Sequence, residues 1–516
     1  MTRPHFLGAR LRGVFGRARP TAFSMAAGCE IMLGRVMSLR RTLPEANAPH
    51  VGVFITPWLN TAVSFVSLEI ACVLREAGCR VTLIDHALKL PFLTHPGFAE
   101  ESALLSKLVS ECAKRFDIAR VADVAADHDS SFDFGPLIFE NAVWSNKGEA
   151  LAIEEMPKLK PLEEKLRREH TRVRTALAQM KLDWALIPGG VFGVSGLYTQ
   201  ACRDLGLGFF TYDCGSGEIK LCLDDIAAQN GDLPGVFQYF MSRPADELRQ
   251  CESMAWEWVE RREQGRDDLS LQPQQTDPVR EGNFALLCLN YRADTAALLR
   301  NDLFPTVIDW VRAVAAWAVR SGRRVIVRQH PCEKLPKFRS TDDLGAVVHA
   351  ADPSGNFARF VSAHDPVNTY DLMRAAACVL PFTSRVGIEA AMLGRPVILG
   401  SKVFYRGLGF THDADTEQHY FTAIEEAISG RLKVGQEQRR RAAIAYFAVS
   451  EQTRIKTLLT AIPADFMKWS AVPRAELWSR PELSELRSAL LERKYFAVAR
   501  HEARGFSAAN AAAVAS

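Results

Sequence analysis

The sequence lacks three features that would define a function at once: paired cysteines, a strong excess of one charge and a long apolar run. Its 11 cysteines are scattered singly, which argues against a disulfide framework or a zinc site and favours a reducing cytoplasm. The formal net charge of +3 is too small to indicate a nucleic-acid partner. We recognise no secretory signal and no run of about 18 apolar residues, so we expect no membrane-spanning segment.

Length and charge distribution predict two domains preceded by a basic leader. A chain of 516 residues with 48% hydrophobic content is long enough for two large globular domains. We expect residues 1–47 to be a flexible leader, and residues 507–516, which are rich in alanine, to be frayed. The basic residues of the leader are Arg3, Arg10, Arg12, Arg17, Arg19, Arg35, Arg40 and Arg41. Interleaved apolar residues leave two interpretations open: a helix on the surface of the inner membrane, or a leader without function.

Alternating strand and helix patterns predict an α/β fold for the first domain. Residues 50–55 form a buried strand pattern, residues 63–74 have helical apolar spacing, and residues 80–85 form the next strand pattern. The pattern returns with strands at 184–188 and 208–212. Because such βαβ crossovers are right-handed, the strands should be parallel. We predict that residues 48–270 form a Rossmann-like domain. If the chain is a transferase, this domain is expected to bind the acceptor substrate.

A second series of the same kind follows a polar linker predicted at 271–282. Strand patterns at 284–289, 324–328, 378–382 and 396–399 predict a Rossmann-like domain over 283–430 that binds the nucleotide. Residues 431–516 are predicted to form C-terminal helices and a tail. Two such domains facing each other across a cleft form the architecture called GT-B, which is therefore the predicted fold.

The segment 383–400 carries the strongest local motif. After the apolar strand pattern, Ser384 can cap a helix that Gly394 ends, and Gly387 permits a close approach of ligand or backbone. A helix N-terminus at the carboxyl end of a parallel strand is a common site for phosphorylated ligands. The residues that would contribute are Ser384, Arg385, Val386, Gly387 and Glu389. An ordinary strand–turn–helix with a capping serine is the alternative.

Two other predicted strand ends carry reactive or charged side chains. Asp294, shortly after the strand at 284–289, has a side chain suited to a nucleophile or a general base, or to the capping of the next helix. Arg328 and His330 end the following strand, and Pro331 holds the backbone there in a non-helical conformation. Together Arg328 and His330 could bind phosphate oxygens or protonate a leaving phosphate.

These motifs, in this order and spacing, resemble the capsule polysaccharide biosynthesis family. The residues that carry the resemblance are His330-Pro331, Ser384-x-x-Gly387-x-Glu389-Ala390, Gly394-x-Pro396-Val397 and Gly400-x-x-x-x-Tyr405. Members of that family are bacterial GT-B glycosyltransferases, and some of them transfer Kdo from CMP-Kdo to lipid-linked glycans. The resemblance implies a metal-independent glycosyltransferase without a cofactor, using a nucleotide sugar as donor and a lipid-linked glycan or an oligosaccharide as acceptor.

The resemblance also implies roles for individual residues. His330 would contact the phosphate of CMP, Ser384 and the backbone of 385–387 would hold phosphate or ribose, and Glu389 would bind the ribose. Asn290 and Asp294 match the family's Gln-x-x-x-Asp motif, with asparagine in place of glutamine, which favours Asp294 as the catalytic nucleophile over a base. This chain departs from the pattern further at Ala296, where serine is usual, and at Arg328, where lysine is common.

The acceptor is expected to bind to the first domain, at strand ends rich in glycine. The candidate residues there are Asn60, Gly190, Asp213 and Gly215. Two alternatives to a CMP-sugar glycosyltransferase of surface polysaccharide synthesis stay open. One is a GT-B enzyme that uses a UDP-sugar, either a transferase or an epimerase. The other is a non-catalytic, nucleotide-binding subunit of a polysaccharide assembly complex.

Overall fold

A computed structural model describes residues 23–40, 47–91, 95–126, 130–215, 218–266, 271–273, 282–453 and 456–505. Residues 1–22 and 41–46 of the predicted leader, most of the predicted linker and the alanine-rich end lie outside these ranges. Among the described residues, no helix is both long and apolar enough to cross a membrane.

The described chain alternates between strands and helices over most of its length. Its strands are β1 His50–Ile55, β2 Arg80–Asp85, β3 Asp117–Arg120, β4 Trp184–Pro188, β5 Gly208–Gly215, β6 Glu218–Leu223, β7 Phe284–Cys288, β8 Arg324–Arg328, β9 Ala358–Val361, β10 Cys378–Pro381, β11 Ile398–Leu399 and β12 His412–Asp413. Its helices are α1 Met25–Met37, α2 Val63–Glu76, α3 Phe98–Cys112, α4 Gly135–Asn146, α5 Glu149–Leu159, α6 Leu162–Met180, α7 Ser195–Leu205, α8 Leu233–Met241, α9 Ala245–Glu263, α10 Val307–Ser321, α11 Leu344–Ala351, α12 Thr369–Ala375, α13 Val386–Met392, α14 Glu417–Ile428, α15 Gln436–Thr453, α16 Pro463–Trp469, α17 Arg474–Leu477, α18 Pro481–Glu492 and α19 Phe496–Arg504.

The chain divides into two compact units. Unit 1 comprises the described parts of Met1–Phe132, Glu164–Ala228 and Gln452–Ala503. Its six-stranded sheet has the order β3-β2-β1-β4-β5-β6, in which β1 to β5 are parallel and β6 is antiparallel to β5. All residues of β1 and β4 are buried, as expected of parallel strands covered by helices on both faces.

Unit 2 comprises the described parts of Asp133–Glu163, Gln229–Glu451 and Arg504–Ser516. Its four-stranded sheet has the order β10-β7-β8-β9 and is entirely parallel. The strand order reverses between β7 and β10, because the chain moves from β7 outward through β8 and β9 and then returns to the other side of β7. Ligands of open α/β sheets bind at the carboxyl ends of the strands beside such a switch point.

These two sheets confirm the predicted α/β class, but the units differ from the predicted domain boundaries in three places. Residues 229–270, predicted in the first domain, belong to unit 2 together with α8 and α9. Residues 133–163, predicted in the first domain, belong to unit 2, where the Glu149 carboxylate accepts hydrogen bonds from the first amides of α10, those of Val307 and Ile308, at 2.9 Å each. Residues 452–503, predicted as C-terminal helices, belong to unit 1, where Phe466 and Trp469 are buried in the core.

Part of the predicted flexible leader is a helix in the core of unit 1. Met25, Cys29, Met32 and Val36 recur at helical spacing along α1 and are buried in that core. Ser24 caps the helix, because its Oγ accepts a hydrogen bond from the Ala27 amide at 3.2 Å. The stretch Met25–Met37 is therefore an ordered element of the fold.

Each unit also buries a cluster of charged side chains. The cluster of unit 1 has one carboxylate and two guanidinium groups, and that of unit 2 has one guanidinium group and two carboxylates. In unit 1 a single carboxylate, Glu69, accepts hydrogen bonds from Arg35 at 2.5 and 2.9 Å and from Arg474 at 3.2 Å. These two guanidinium groups lower the pKa of Glu69 although burial acts against them. The carboxylate of Glu69 is thus fully paired.

In unit 2 a single guanidinium, that of Arg292, lies between two carboxylates. Arg292 is 1% exposed, and its Nη2 lies 2.7 Å from Glu149 Oε1 and 3.6 Å from Glu140 Oε2. Burial raises the pKa of Glu140 to about 7, since the attraction of Arg292 offsets it only in part and Glu149 adds repulsion. The single positive charge of Arg292 is therefore the counter-charge of two buried carboxyl groups, those of Glu140 and Glu149.

Candidate functional site

A pocket lies at the carboxyl edge of the unit 2 sheet, at its switch point. The residues that line it end or follow three neighbouring strands, β7, β8 and β10, or come from the end of α9, from residues 271–272 and from the start of α12. They are Arg262, Leu271, Gln272, Cys288, Leu289, Arg328, Gln329, His330, Pro331, Thr369, Tyr370, Ser384, Val386 and Glu389. Six of the residues predicted to bind the nucleotide therefore line one pocket, namely Arg328, His330, Pro331, Ser384, Val386 and Glu389.

His330 begins a short 3₁₀ turn, Pro331–Lys334, that sets the orientation and tautomer of its ring. The Cys332 amide donates a hydrogen bond to His330 Nδ1 at 3.2 Å, and Cys332 Sγ lies 2.9 Å from the same nitrogen. Because Nδ1 accepts from the amide, the neutral ring carries its proton on Nε2. Burial, with the charges of Arg262 and Arg328, lowers the pKa of His330 to about 4. The imidazole is therefore neutral near pH 7 and offers one N–H donor.

Arg328 has both a structural role and an open donor. Its Nη1 donates a hydrogen bond to the Ser362 carbonyl, and its Nη2 to the Val367 carbonyl at 3.1 Å. Its Nε is buried without a hydrogen-bond partner among the described residues. Burial lowers the pKa of Arg328, but arginine stays charged at neutral pH. The guanidinium thus fixes the loop after β9 and still adds a positive charge to the pocket.

The turn before α13 is closed by its own hydrogen bonds. The Val386 amide donates to Ser384 Oγ at 3.3 Å, the Gly387 amide to the Ser384 carbonyl at 3.3 Å, and the Ile388 amide to the Arg385 carbonyl at 2.9 Å. These amides are therefore occupied in this structure and do not form the open anion cradle that the sequence predicted. The close approach expected at Gly387 is made by Tyr405, whose hydroxyl would collide with an added Cβ.

Glu389 lies one turn into α13 and pairs with an arginine that sequence reasoning missed. It is 3% exposed, and its Oε1 lies 3.3 Å from a guanidinium nitrogen of Arg262, on the last turn of α9. The sequence analysis placed Arg262 in the first domain, over 48–270, and gave no sign that it reaches the strand ends of unit 2. Arg262 and Glu389 bring one positive and one negative charge to the same wall of the pocket.

The start of α12 contributes two further polar groups to the pocket. Asn368 does cap the helix, accepting a hydrogen bond from the Tyr370 amide at 2.9 Å. The next two side chains line the pocket, and Thr369 Oγ1 and Tyr370 Oη are buried without hydrogen-bond partners in the part of the chain that the structure describes. Burial and the charge of Glu389 raise the pKa of Tyr370, so its phenol is a neutral donor.

Four lining residues thus carry a buried polar atom without an aligned hydrogen bond to a described residue: Arg328 Nε, Thr369 Oγ1, Tyr370 Oη and Glu389 Oε1, and the side chains of the last two lie close enough to interact with each other. A buried unsatisfied polar group costs about 1–3 kcal/mol, and native proteins contain few of them. Their concentration around one pocket is explained if a polar ligand supplies the missing partners.

Asn290 and Asp294, after β7, lie outside the lining of this pocket. Asn290 joins two strand ends, because its Nδ2 donates to Thr383 Oγ1 at 3.0 Å and its Oδ1 accepts from the Thr383 amide at 3.1 Å. Asp294 is exposed and caps the 3₁₀ turn Thr295–Ala297 by accepting from the Ala296 amide at 3.0 Å. Its charge helps to raise the pKa of Cys332, which shows that Asp294 lies near the His330 turn.

The predicted acceptor residues lie at the carboxyl edge of the unit 1 sheet. Asn60 has a left-handed backbone (φ 57°), and its amide donates to Glu101 Oε2 at 3.1 Å. Gly190, with φ 110°, donates through its amide to Ser195 Oγ at 3.0 Å. Asp213 and Gly215 lie on β5, paired with Lys220 and Glu218 of β6. Their contact with an acceptor stays a prediction.

The described residues contain no group of three or more His, Cys, Asp or Glu side chains placed to hold a metal ion. The charged residues that line the pocket are Arg262, Arg328 and Glu389.

Comparisons with known proteins add a fold-level likeness. No protein-family model matches the chain, and no curated protein sequence matches it. Among solved structures, it is similar to KpsC of Thermosulfurimonas dismutans, a beta Kdo 2,4 transferase, with 16% identity, a TM-score of 0.32, and 51% of this chain and 79% of that chain covered. It is also similar to the UDP-GlcNAc 2-epimerase of Neisseria meningitidis bound to UDP-GlcNAc, with 10% identity, a TM-score of 0.24, and 77% and 95% covered.

A third likeness is to MnaA of S. aureus in a co-structure with UDP, with 10% identity, a TM-score of 0.24, and 78% of this chain and 94% of that chain covered. All three TM-scores lie well below 0.5, so the function proposed below rests on the residues of the pocket. Fold in any case does not determine function.

Proposed function

We propose that this chain is a glycosyltransferase that binds an activated sugar through its nucleotide, in the unit 2 pocket, with a CMP-sugar such as CMP-Kdo as donor. One observation carries the proposal: four buried polar atoms without hydrogen-bond partners among the described residues surround a pocket at the switch point of a parallel sheet. A nucleotide has the hydroxyl, phosphate and base groups that such atoms require.

The charge of the pocket supports a monophosphate donor. Arg262 and Arg328 are positive, Glu389 is negative, and His330 is neutral near pH 7, which leaves one net positive charge on the lining. The nucleotide part of a CMP-sugar has a single negative charge on its phosphodiester, whereas that of a UDP-sugar has two on its diphosphate. The carboxylate of Kdo adds a charge to CMP-Kdo, but on the sugar and not on the nucleotide that this lining would hold. Charge complementarity therefore favours the CMP donor.

The chemistry that this pocket supports is stabilisation of the departing phosphate. When the bond between the anomeric carbon and the phosphate oxygen breaks, negative charge grows on CMP and positive charge on the sugar ring. The Nε2–H of His330 and the Arg328 guanidinium supply a donor and a positive charge at that point. Binding of the anion would raise the pKa of His330, so the ring could become a proton donor only in the complex.

Asp294 is the proposed carboxylate of the reaction, as the nucleophile or as the base that takes the proton of the acceptor hydroxyl. It lies near the His330 turn and is exposed, so a substrate can reach it. Its hydrogen bond to the Ala296 amide favours a second candidate function, that of a non-catalytic nucleotide-binding subunit in which Asp294 only caps a turn.

The acceptor is proposed to be a glycan of surface polysaccharide synthesis, lipid-linked or free. It would contact the edge of unit 1 that holds Asn60 and Gly190. A lipid-linked acceptor would make peripheral contact with the inner membrane reasonable, and the proposed contact is the basic part of the leader before α1, residues 1–22, which lies outside the described ranges.

The test is nucleotide binding followed by turnover. Calorimetry should show that CMP binds at least tenfold more tightly than UDP, and mass spectrometry should show that the purified chain consumes CMP-Kdo in the presence of a glycan acceptor. Tighter binding of UDP would contradict the proposed donor. Consumption of a UDP-sugar, or of no nucleotide sugar at all, would favour the alternatives.

Asp294→Ala separates the enzyme from the binding subunit. Asp343→Ala is the matched control, since Asp343 also caps a helix, α11, by accepting from the Ala346 amide at 2.9 Å. Both variants lose a cap, worth about 0.5–2 kcal/mol. We expect turnover to fall at least 100-fold in Asp294→Ala alone, with CMP affinity retained. Equal turnover in the two variants would assign Asp294 to capping.

A further inference from the structure

The ion pair between Arg262 and Glu389 lies in the lining of the pocket proposed to hold the nucleotide. The guanidinium nitrogen lies 3.3 Å from Glu389 Oε1, and the Arg262 side chain is 23% exposed. The cavity between the lining residues measures about 40 Å³. Small-molecule pockets hold roughly 300–1,000 Å³. Lining side chains therefore have to move to admit a nucleotide, and Arg262 is a long, partly exposed side chain among them.

The geometry of this pair is suited to exchange. Oε1 of Glu389 makes no hydrogen bond within the described chain although Arg262 is close, so the two groups attract each other without an aligned N–H···O bond. Charge-assisted hydrogen bonds with good alignment are about twice as strong as neutral ones, and this pair lacks that alignment. Ligand hydroxyl groups aligned on the carboxylate would replace it at little cost.

The guanidinium of Arg262 also lies within electrostatic reach of the proposed phosphate position. Its charge is the larger of the two arginine contributions that lower the pKa of His330, ahead of that of Arg328. Arg262 therefore lies near both the group proposed to bind ribose and the group proposed to bind phosphate, and all three line one pocket. Rotation about the bonds of its flexible side chain could shift its charge from one towards the other.

We propose that Arg262 is an exchangeable counter-ion, which neutralises Glu389 in the empty pocket and turns to the phosphate of the nucleotide when the ribose hydroxyls take its place on Glu389. This inference rests on the proposed function and deepens it. It identifies the ligand class as one with a vicinal diol and a phosphate on the same molecule, which is a ribonucleotide. A nucleoside would displace Arg262 and give it no new partner.

The exchange predicts that Arg262 affects ribonucleotides and nucleosides differently. In Arg262→Gln, CMP should bind about 10–100-fold more weakly, the effect of losing one hydrogen bond to a charged group. Cytidine should bind with unchanged or slightly higher affinity, since it no longer has to displace the guanidinium. The preference of the wild type for CMP over 2′-deoxy-CMP should persist in this variant, because Glu389 still binds the hydroxyls.

The experiment is calorimetry on the full chain with CMP, UMP, 2′-deoxy-CMP and cytidine. Arg261→Gln is the matched control, because Arg261 precedes Arg262 on the same turn of α9 but does not line the pocket. A thermal unfolding scan of each variant checks that it is folded. We expect Arg261→Gln to bind all four ligands as the wild type does.

Two outcomes would overturn the inference. In the first, Arg262→Gln binds CMP as tightly as the wild type does. In the second, its affinities for CMP and cytidine fall by the same factor, which would make Arg262 a structural partner of Glu389 only. If the wild type binds UMP in preference to CMP, the same variant comparison with UMP and uridine tests the exchange while the proposed donor fails. A wild-type chain that binds none of the four ligands would overturn both proposals.

Discussion

The two units have similar parallel sheets but differ in how they treat polar groups at the carboxyl edge. In unit 1 the chain closes much of this edge: Glu101 accepts hydrogen bonds from the amides of Trp58 and Asn60 at 2.9 and 3.1 Å, and Thr199 Oγ1 donates to the Gly190 carbonyl at 2.7 Å. Two buried polar atoms there, Thr56 Oγ1 after β1 and His86 Nε2 after β2, lack hydrogen-bond partners among the described residues. The corresponding edge of unit 2 has four such atoms, and their residues line one pocket. This grouping around a pocket marks the unit 2 edge as the candidate binding site.

The buried charge clusters show the same contrast. Glu69 in unit 1 has two arginines and hydrogen bonds to both, whereas Arg292 in unit 2 has two carboxylates and no aligned hydrogen bond within the described residues. Unsatisfied buried groups lower the stability of the unit that contains them. They persist where function requires them. The cluster of Arg292 lies in the same segment as Asp294.

The largest effect is expected for Arg292→Met. Removing the guanidinium leaves Glu140 and Glu149 buried without their counter-charge, and breaking a buried pair in this way costs about 3–5 kcal/mol. Denaturant unfolding measures the loss. Arg474→Met in unit 1 is the control, and should cost less because Arg35 continues to pair with Glu69. Equal losses of unfolding free energy in the two variants would show that the two clusters do not differ in this way.

A smaller effect is expected from pH. The pKa of Glu140 is raised in the folded chain from 4.5 to about 7, so the unfolded chain releases this proton first. The free energy of unfolding should therefore fall as the pH rises from about 4.5 to about 7, by up to about 3 kcal/mol from this group. Glu69, whose pKa is lowered, acts in the opposite sense and only below its ordinary value.

The measurement is the difference in unfolding free energy between the wild type and Glu140→Gln at several pH values. This difference separates the contribution of Glu140 from that of the histidines, which titrate in the same pH range. A difference that does not change between pH 4.5 and 7 would show that Arg292 neutralises both acids equally well.

The smallest effect is expected at the unit 1 edge, for Asn60→Gly. Glycine accepts the left-handed backbone at this position and keeps the amide that Glu101 binds, so stability should change by less than about 0.5 kcal/mol. CMP affinity should stay the same, while the KM for the glycan acceptor should rise a few-fold if Asn60 contacts it. Weaker CMP binding would contradict the assignment of Asn60 to the acceptor.

Much of the fold could be predicted because its signals are local. The runs 50–55, 80–85, 184–188 and 324–328 coincide with β1, β2, β4 and β8, since each is a short apolar run bounded by glycine or polar residues. The strands β3 and β9, of four residues each, were missed because β3 is half exposed and β9 follows an ordinary polar loop. Both strands are too short, and the alternation of their apolar and polar residues is too weak, to be distinguished from loops in the sequence.

The candidate site could be predicted where it follows strands and not where it depends on packing. Arg328, His330 and Ser384 were identified from strand ends, which topology brings to one edge. Arg262 lies at the end of a 19-residue charged helix, and only the packing of α9 brings it to Glu389. The helix N-terminus at Ser384 was expected to hold an anion, but the hydrogen bonds of the turn itself use its amides.

The return of residues 452–503 to unit 1 has a consequence for synthesis of the chain. The apolar surface of α2, with Phe65 and Leu68, shares a core with Phe466 and Trp469, which a ribosome makes about 400 residues later. Unit 2 can complete its four-stranded sheet, of which β10 is the last strand to be made, before those helices emerge. The surface of α2 is thus made long before the helices that help to bury it, and until then it is an exposed apolar surface of the kind that chaperones bind.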